Sequence, residues 1–159
     1  MKILLATDGS KYSNAAVEEV ANRQFPPGTE VRIISVVDKV ALASYAGSSA
    51  IVNDFYIQAG KHALKVAADA IEYASKILQK KNASVLLTTA VIDGSPKTAI
   101  LEEAERYGAD LIVVGSNGHG DKDIEHFMLG SVSHAVALYA KCSVEIVRAQ
   151  NKQSAIAKL

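Results

Sequence analysis

The sequence has a single cysteine, Cys142, among its 159 residues. An internal disulfide is therefore impossible, and an apolar core must hold the fold. A chain of this length is about one domain's worth. A domain near 150 residues buries roughly 70% of the surface its unfolded chain exposes, so it needs neither disulfide nor metal as a staple. An excess of one charge is also missing. Lys and Arg number 17, and so do Asp and Glu, which leaves no electrostatic case for general affinity to DNA or RNA. No apolar run approaches the ~18–20 residues that a membrane span requires. Only Met1 and Lys2 precede the first apolar run, so the sequence offers no secretory signal pattern. With the lone thiol, this sets the expectation of a reducing, cytoplasmic compartment.

Several chemical signatures are lacking as well. Gly60-Lys61 has no glycine five positions earlier and no Ser or Thr after the lysine, so it is not a phosphate-binding P-loop. Gly118-x-Gly120 has Asp123 where a dinucleotide fingerprint needs its third glycine. The histidines His62, His119, His126 and His134 form no HExxH and have no cysteine at zinc-ligand spacing. No Gly-x-Ser-x-Gly elbow supports a serine hydrolase. Cys142 has no base beside it and reads as a structural thiol.

What is present is the composition of an ordinary globule, 49% hydrophobic and 21% charged, which excludes a disordered or collagen-like chain. The apolar period changes repeatedly along it. Ile3 to Ala6 is a short continuous apolar run, expected as a strand buried on both faces. Thr7-Asp8-Gly9-Ser10 follows as a tight turn. Tyr12, Ala16 and Val20 then recur at helical spacing, with Ser10 as the expected N-cap. Phe25-Pro26-Pro27-Gly28 stops that helix. Val31 to Val37 is a second strand. Residues 38–54 have no firm period and read as a flexible connection or a lid. A long amphipathic helix is expected over 55–80, and a third strand from Val85 to Val91. Pro96 opens the next helix and Gly108 closes it. Leu111 to Val114 is the fourth strand, Ser131 to Ala140 a helix, and Ser143 to Val147 the fifth strand. Tyr12, Tyr56, Tyr73 and Tyr107 sit at apolar helical positions and read as core. Strands alternating with helices predict one α/β domain, a parallel sheet with helices on both faces. In such sheets ligands bind beyond the carboxyl ends of the strands, where the strand order reverses.

Two turns carry the chemistry. Gly115 to Gly120 follows a buried strand, and glycines there let backbone N–H groups approach an anion. Gly130-Ser131 begins the next helix, whose free N–H groups and dipole favour phosphate, with Ser131 and Ser133 as added hydroxyl donors. The alternative is a plain turn with Ser131 as a helix cap. Asp8 ends strand one, where a carboxylate accepts hydrogen bonds from ribose hydroxyls or helps hold a metal near phosphates. The alternative is that Asp8 caps the first helix.

Together these segments resemble the universal stress protein family. The matching motifs are Ala-Thr-Asp-Gly-Ser at 6–10, Ser-Val-Val-Asp at 35–38 and Asp-Gly-Ser-Pro at 93–96. Three more follow in order: Ala-Asp-Leu-Ile-Val-Val-Gly-Ser at 109–116, Leu-Gly-Ser-Val-Ser at 129–133 and Cys-Ser-Val-Glu-Ile-Val-Arg at 142–148. The resemblance covers about 1–148 and leaves 149–159 as a tail expected to fray. It implies a Rossmann-like, adenine nucleotide alpha hydrolase-like domain of five parallel strands in the order 3-2-1-4-5. The Asp8 turn and the glycine loop would then share one cleft.

Nucleotide-binding members of the family carry the signature G-x2-G-x9-G-(S/T). Carried over, Gly115 and Gly118 match its first glycines, and Gly130-Ser131 its last pair. The resemblance further implies adenine against Val36, ribose facing Asp8, and a pocket lined by Ala6, Thr7 and Val114. Val132 and Ser133 would extend the contacts at the helix terminus. The implied cofactor is ATP with Mg2+ or another divalent cation. The implied role is a nucleotide-dependent regulator in stress response, at most a slow ATPase, because no P-loop lysine, general base or arginine finger is evident. A homodimer through the last strand, at Val144 and Ile146, is also implied. Its alternative is a monomer whose edge Glu145 and Arg148 guard.

The sequence departs from the pattern in two places. Residues 119 to 129 put 11 positions between Gly118 and Gly130 instead of nine. This stretch carries Asp121, Asp123 and Glu125 against Lys122, and carboxylates repel a triphosphate unless a divalent cation intervenes. Ser143 replaces a proline common in the family. Two other readings stay open: an interaction module that has lost nucleotide, and an enzyme that adenylates a second substrate.

Overall fold

The computed structural model describes residues 1–38, 50–118 and 128–149, without the side chains of 50–53. The elements in chain order are β1 (Lys2–Ala6), α1 (Lys11–Asn22), β2 (Glu30–Val37), α2 (Ala50–Lys81) and β3 (Leu86–Asp93). They continue with α3 (Pro96–Tyr107), β4 (Leu111–Gly115), α4 (Ser131–Tyr139) and β5 (Ser143–Val147). All strand pairs are parallel, and the order across the sheet is β3-β2-β1-β4-β5. That is the expected architecture. The order reverses between β1 and β4.

The continuous apolar run of β1 follows from its central place. Successive side chains point to opposite faces of a strand. Ile3 and Leu5 therefore pack with Ala16, Val17 and Val20 of α1 and with Ile71, Ala74 and Leu78 of α2. Leu4 and Ala6 pack with Ile100 and Ala104 of α3 and Val136 of α4. Ile3, Leu4 and Leu5 are fully buried. Each such side chain contributes about 1.5–3 kcal/mol of burial free energy.

The helix ends obey local chemistry. The Ser10 hydroxyl accepts the Ser13 N–H at 3.2 Å and caps α1. Pro96 stands at the first turn of α3, and Gly108 ends it in the left-handed conformation. Cys142 is half-buried against the α3 and α4 side of the core.

Three expectations need correction. Helix α2 begins at Ala50 rather than 55, so residues 50–54 of the supposed connection are helical. Ile51 and Val52 add no clear period, but extending a nucleated helix gains a hydrogen bond per residue fixed. The rest of that connection, 39–49, lies outside the described residues. Strand β3 runs from Leu86 to Asp93 because its pairing with β2 continues as far as Val37 opposite Asp93. None of the four helical tyrosines is buried. Tyr73 is 40% exposed and the others are half-buried. An amphipathic ring lies well at a helix edge, and Tyr107 there receives Lys2 Nζ at 5.1 Å and Arg32 Cζ at 5.7 Å from its centroid.

Two ion pairs tie elements together. Arg23, the residue just after α1, meets both carboxylate oxygens of Glu145 on β5 at 2.7 and 2.8 Å. Glu103 is buried on α3 and receives Arg32 from β2 and Arg106 from its own helix. Among the described residues, no helix is long and apolar enough to cross a membrane.

Candidate functional site

Strands β2 and β3 run further than their neighbours at the carboxyl edge. The last pair of β1 is Ala6 with Ile34, so Ser35, Val36 and Val37 continue past it. They form one wall of a cavity of about 620 Å³ at the reversal point, a size usual for small-molecule sites.

All eleven residues singled out in the sequence line this cavity. Ala6, Thr7 and Asp8 come from the end of β1. Val36 comes from β2, and Val114, Gly115 and Gly118 from β4 and its exit turn. Gly130, Ser131, Val132 and Ser133 come from the start of α4. The acidic stretch 121–125, with His119 and Gly120, lies outside the described residues, as does the tail 150–159.

The β1 turn is built by hydroxyls. Thr7 is buried, and its N–H donates to the Ile34 carbonyl at 2.9 Å. Thr7 Oγ1 lies 3.1 Å from Ser13 Oγ. Asp8 does not cap α1, since Ser10 does. Instead Asp8 Oδ1 accepts the Ser10 N–H at 3.0 Å, an arrangement that aspartate side chains favour in turns. This fixes the carboxylate beside Gly118. A methyl group on Gly118 would stand 2.8 Å from Asp8 Oδ2. Gly115 is tighter. A methyl group there would meet the backbone of Tyr12 and Ser13 at 2.5–2.7 Å, so β4 can reach α1 only through glycine.

The start of α4 departs from expectation in one respect. The Gly130 N–H is not free, because it donates to the Ser116 carbonyl at 2.8 Å. Ser133 is buried, and its hydroxyl faces that same carbonyl at 2.7 Å and the Gly130 carbonyl at 3.0 Å. Its proton is thus directed to the backbone, closing the loop onto the helix. The first helical bond runs from the His134 N–H to the Gly130 carbonyl. The amides of Ser131, Val132 and Ser133 precede it and have no acceptor within the helix. They carry the positive end of the dipole.

Sequence reasoning missed the α2 wall. His62, Ala63, Val66 and Ala67 line the cavity, with His62 exposed at its rim. Ala63 and Val66 were visible as part of an apolar stripe, but a stripe does not say whether it faces core or cavity. Ser13, Asp38, Asn117 and Ile100 line it too. Among the described residues no cluster of three His, Cys, Asp or Glu could hold a metal. Cys142 lies apart from the cavity, and burial followed by the charge of Asp110 raises its thiol above the usual range.

These features define a class: a doubly wound α/β domain with a cavity at its strand reversal, lined by glycines and the start of a helix. The profile of the Universal stress protein family matches residues 1–148, and the chain belongs to that family. It is 33% identical to universal stress protein MJ0531 of Methanocaldococcus jannaschii, over 96% of this chain and 84% of that protein. It is 32% identical to universal stress protein YxiE of Bacillus subtilis, over 92% of this chain and 98% of that one. Among solved structures, hypothetical protein MJ0577 superposes with a TM-score of 0.78 at 24% identity, covering 95% of this chain and 97% of the other. Two further structures have the same fold at a TM-score of 0.59. One is a universal stress protein in complex with cAMP, at 23% identity over 94% of this chain and 98% of the other. The second is a family protein from Arabidopsis thaliana with AMP bound, at 18% identity over 96% and 94%.

Proposed function

We propose that this protein is a cytoplasmic, nucleotide-dependent regulator of the stress response that binds ATP in the cleft between β1 and β4. The observation that carries this reading is convergence. Turns far apart in the chain supply a carboxylate, an apolar wall and a row of helix-terminal amides to one cavity. The base would lie against Val36, with Ala6, Thr7 and Val114 beside it. The ribose hydroxyls would donate to Asp8. The phosphates would pass Gly115 and Gly118 and end on the amides of Ser131, Val132 and Ser133, beside Gly130. The bound AMP and cAMP of two fold relatives support an adenine nucleotide in such a cleft.

The residues present fit this ligand: the cavity is large enough and the amide row suits an anion. A divalent cation would be held chiefly by the phosphates and water, with Asp8 as the nearest carboxylate, as Mg2+ commonly is. When bound, the cation would screen phosphate charge. The protein itself binds, orients the ribose and grips the terminal phosphate. Titration calorimetry with ATP and Mg2+ tests the reading, with Asp8→Ala as a control. Saturable binding that weakens in the variant is expected, and no binding by the wild-type chain overturns it.

A homodimer belongs to the same proposal. β5 ends the sheet, and its outer backbone edge would pair with that of a second copy around Val144 and Ile146. Light scattering should give twice the chain mass, and the mass of one chain overturns this part.

A further inference from the structure

The cavity reaches both faces of the sheet, and the nucleotide reading uses one of them. Side chains alternate along a strand. Ile34 packs into the α3 and α4 core and Ile33 into the α1 and α2 core. Val36 therefore belongs to the first side, and Ser35 and Val37 to the second. Ala6, Val114 and Val132, proposed above to surround the nucleotide, also lie on the α3 and α4 side. On the α2 side, Val37, Ala63, Val66 and Ala67 give the cavity apolar walls. Ser35, Thr7 and Ser13 add hydroxyls there. Thr7 and Ser13 occupy each other at 3.1 Å. Ser35 is left over. It is only 3% exposed, held in the ladder opposite Val91, and its hydroxyl meets no hydrogen-bond partner among the described residues. Nor is it sealed in packing, as Ser75 Oγ is; it borders the cavity.

Beyond the nucleotide reading and independent of it, we propose that this α2-side compartment binds a small neutral molecule with an apolar body and a single hydrogen-bonding group, which pairs with the Ser35 hydroxyl. A hydroxyl both donates and accepts, so an alcohol, a phenol or a ketone serves as the head. The apolar body rests against Val37, Ala63, Val66 and Ala67 and is held by its removal from water. An ionised head is disfavoured, because these walls offer nothing to replace its hydration. Space is ample: a ring of benzene's size fills a cavity of about 150 Å³, and this one holds about 620 Å³. Apolar walls with a few convergent polar groups are the usual build of a small-molecule site.

The experiment is amide NMR on the isotope-labelled full chain without nucleotide, titrated with phenol and with toluene. The two molecules are nearly equal in size, and only phenol has a hydroxyl. Phenol should shift the signals of Ser35, Val37, Ala63 and Ala67 saturably, with half-saturation at about 1 mM. Ser35→Ala should weaken phenol about three- to tenfold and leave toluene unchanged. Ala63→Leu, which fills the compartment from a half-buried helical position, should abolish the binding of both. No saturable shift at the four residues, unchanged phenol affinity in Ser35→Ala, or binding that survives Ala63→Leu overturns the proposal. So do shifts confined to Val36, Val114 and Val132, which would put the ring on the nucleotide side. None of these outcomes touches the nucleotide reading, which calorimetry with ATP tests separately.

Discussion

The carboxylate of Asp8 lies against the bare Cα of Gly118, so close that a methyl group on the glycine would stand 2.8 Å from Asp8 Oδ2. The contact joins the turn after β1 to the turn after β4. It is made with the tip of a side chain, which can rotate away. Gly118→Ala should therefore fold with a modest loss of stability, about 0.5–1.5 kcal/mol, as the bond from the Ser10 N–H to the displaced carboxylate weakens. On the proposed function its larger cost should fall on binding, because the displaced carboxylate leaves the place proposed for the ribose. Calorimetry with ATP and Mg2+ should show affinity down about tenfold.

Gly115 behaves differently. Its missing side chain is replaced by the backbone of Tyr12 and Ser13 at 2.5–2.7 Å, and backbone cannot rotate aside. Gly115→Ala must separate β4 from the start of α1. Overpacking of this kind costs about 1–3 kcal/mol or more. Urea unfolding should show the midpoint lowered, and an unchanged midpoint would contradict the packing described.

Ser133→Ala tests the closure of the loop. The hydroxyl serves the carbonyls of Ser116 and Gly130 from a buried position. Both carbonyls keep a backbone donor, Gly130 N–H and His134 N–H, so the loss is that of one buried hydroxyl's hydrogen bonding, about 0.5–1.5 kcal/mol. The amides of Ser131 and Val132 would also lose their fixed aim, so nucleotide affinity should fall along with the melting temperature. Ser131→Ala, at an exposed position, should leave the melting temperature nearly unchanged.

Glu103 is the buried member of the pairs with Arg32 and Arg106. Glu103→Ala leaves the Arg32 guanidinium, itself only 20% exposed, without its carboxylate. Breaking a buried pair from one side costs about 3–5 kcal/mol. Denaturation should place Glu103→Ala well below Arg106→Ala, whose guanidinium is 67% exposed.

The Cys142 thiol is held above its ordinary range by burial, and secondarily by Asp110. An acid with a raised folded value is favoured in its neutral form, so its contribution to stability is full below the unfolded value, about 8.5. It is lost as pH rises through the folded value. Alkylation by iodoacetamide at pH 8 should be slower in the native protein than in the urea-unfolded chain. Cys142→Ser should flatten the decline of stability above pH 8.5.

The strand identities were readable because burial on both faces demands continuous apolar runs such as Ile3 to Ala6, whereas the order of the strands across the sheet came only from the resemblance to the family. The two turns stood out as glycine and aspartate directly after buried strands, each with a plain structural alternative, and only the strand order implied by the resemblance put them in one cleft. The α2 wall was not readable. Ala63 and Val66 obey the same spacing as Ala70 and Ala74, and only the height of β2 above β1 decides that the first pair faces a cavity and the second a core. Nor could spacing show that the Gly130 amide is consumed by Ser116, a contact set by where β4 ends relative to α4.

That difference in strand height has a consequence of its own. Ser35, Val36 and Val37 stand above Ala6 as a stair, locked by the ladder to β3 as far as Asp93 and by the Gly94 N–H on the Val37 carbonyl at 3.1 Å. A shelf made of ladder bonds exists before any guest arrives and loses no freedom when one lands.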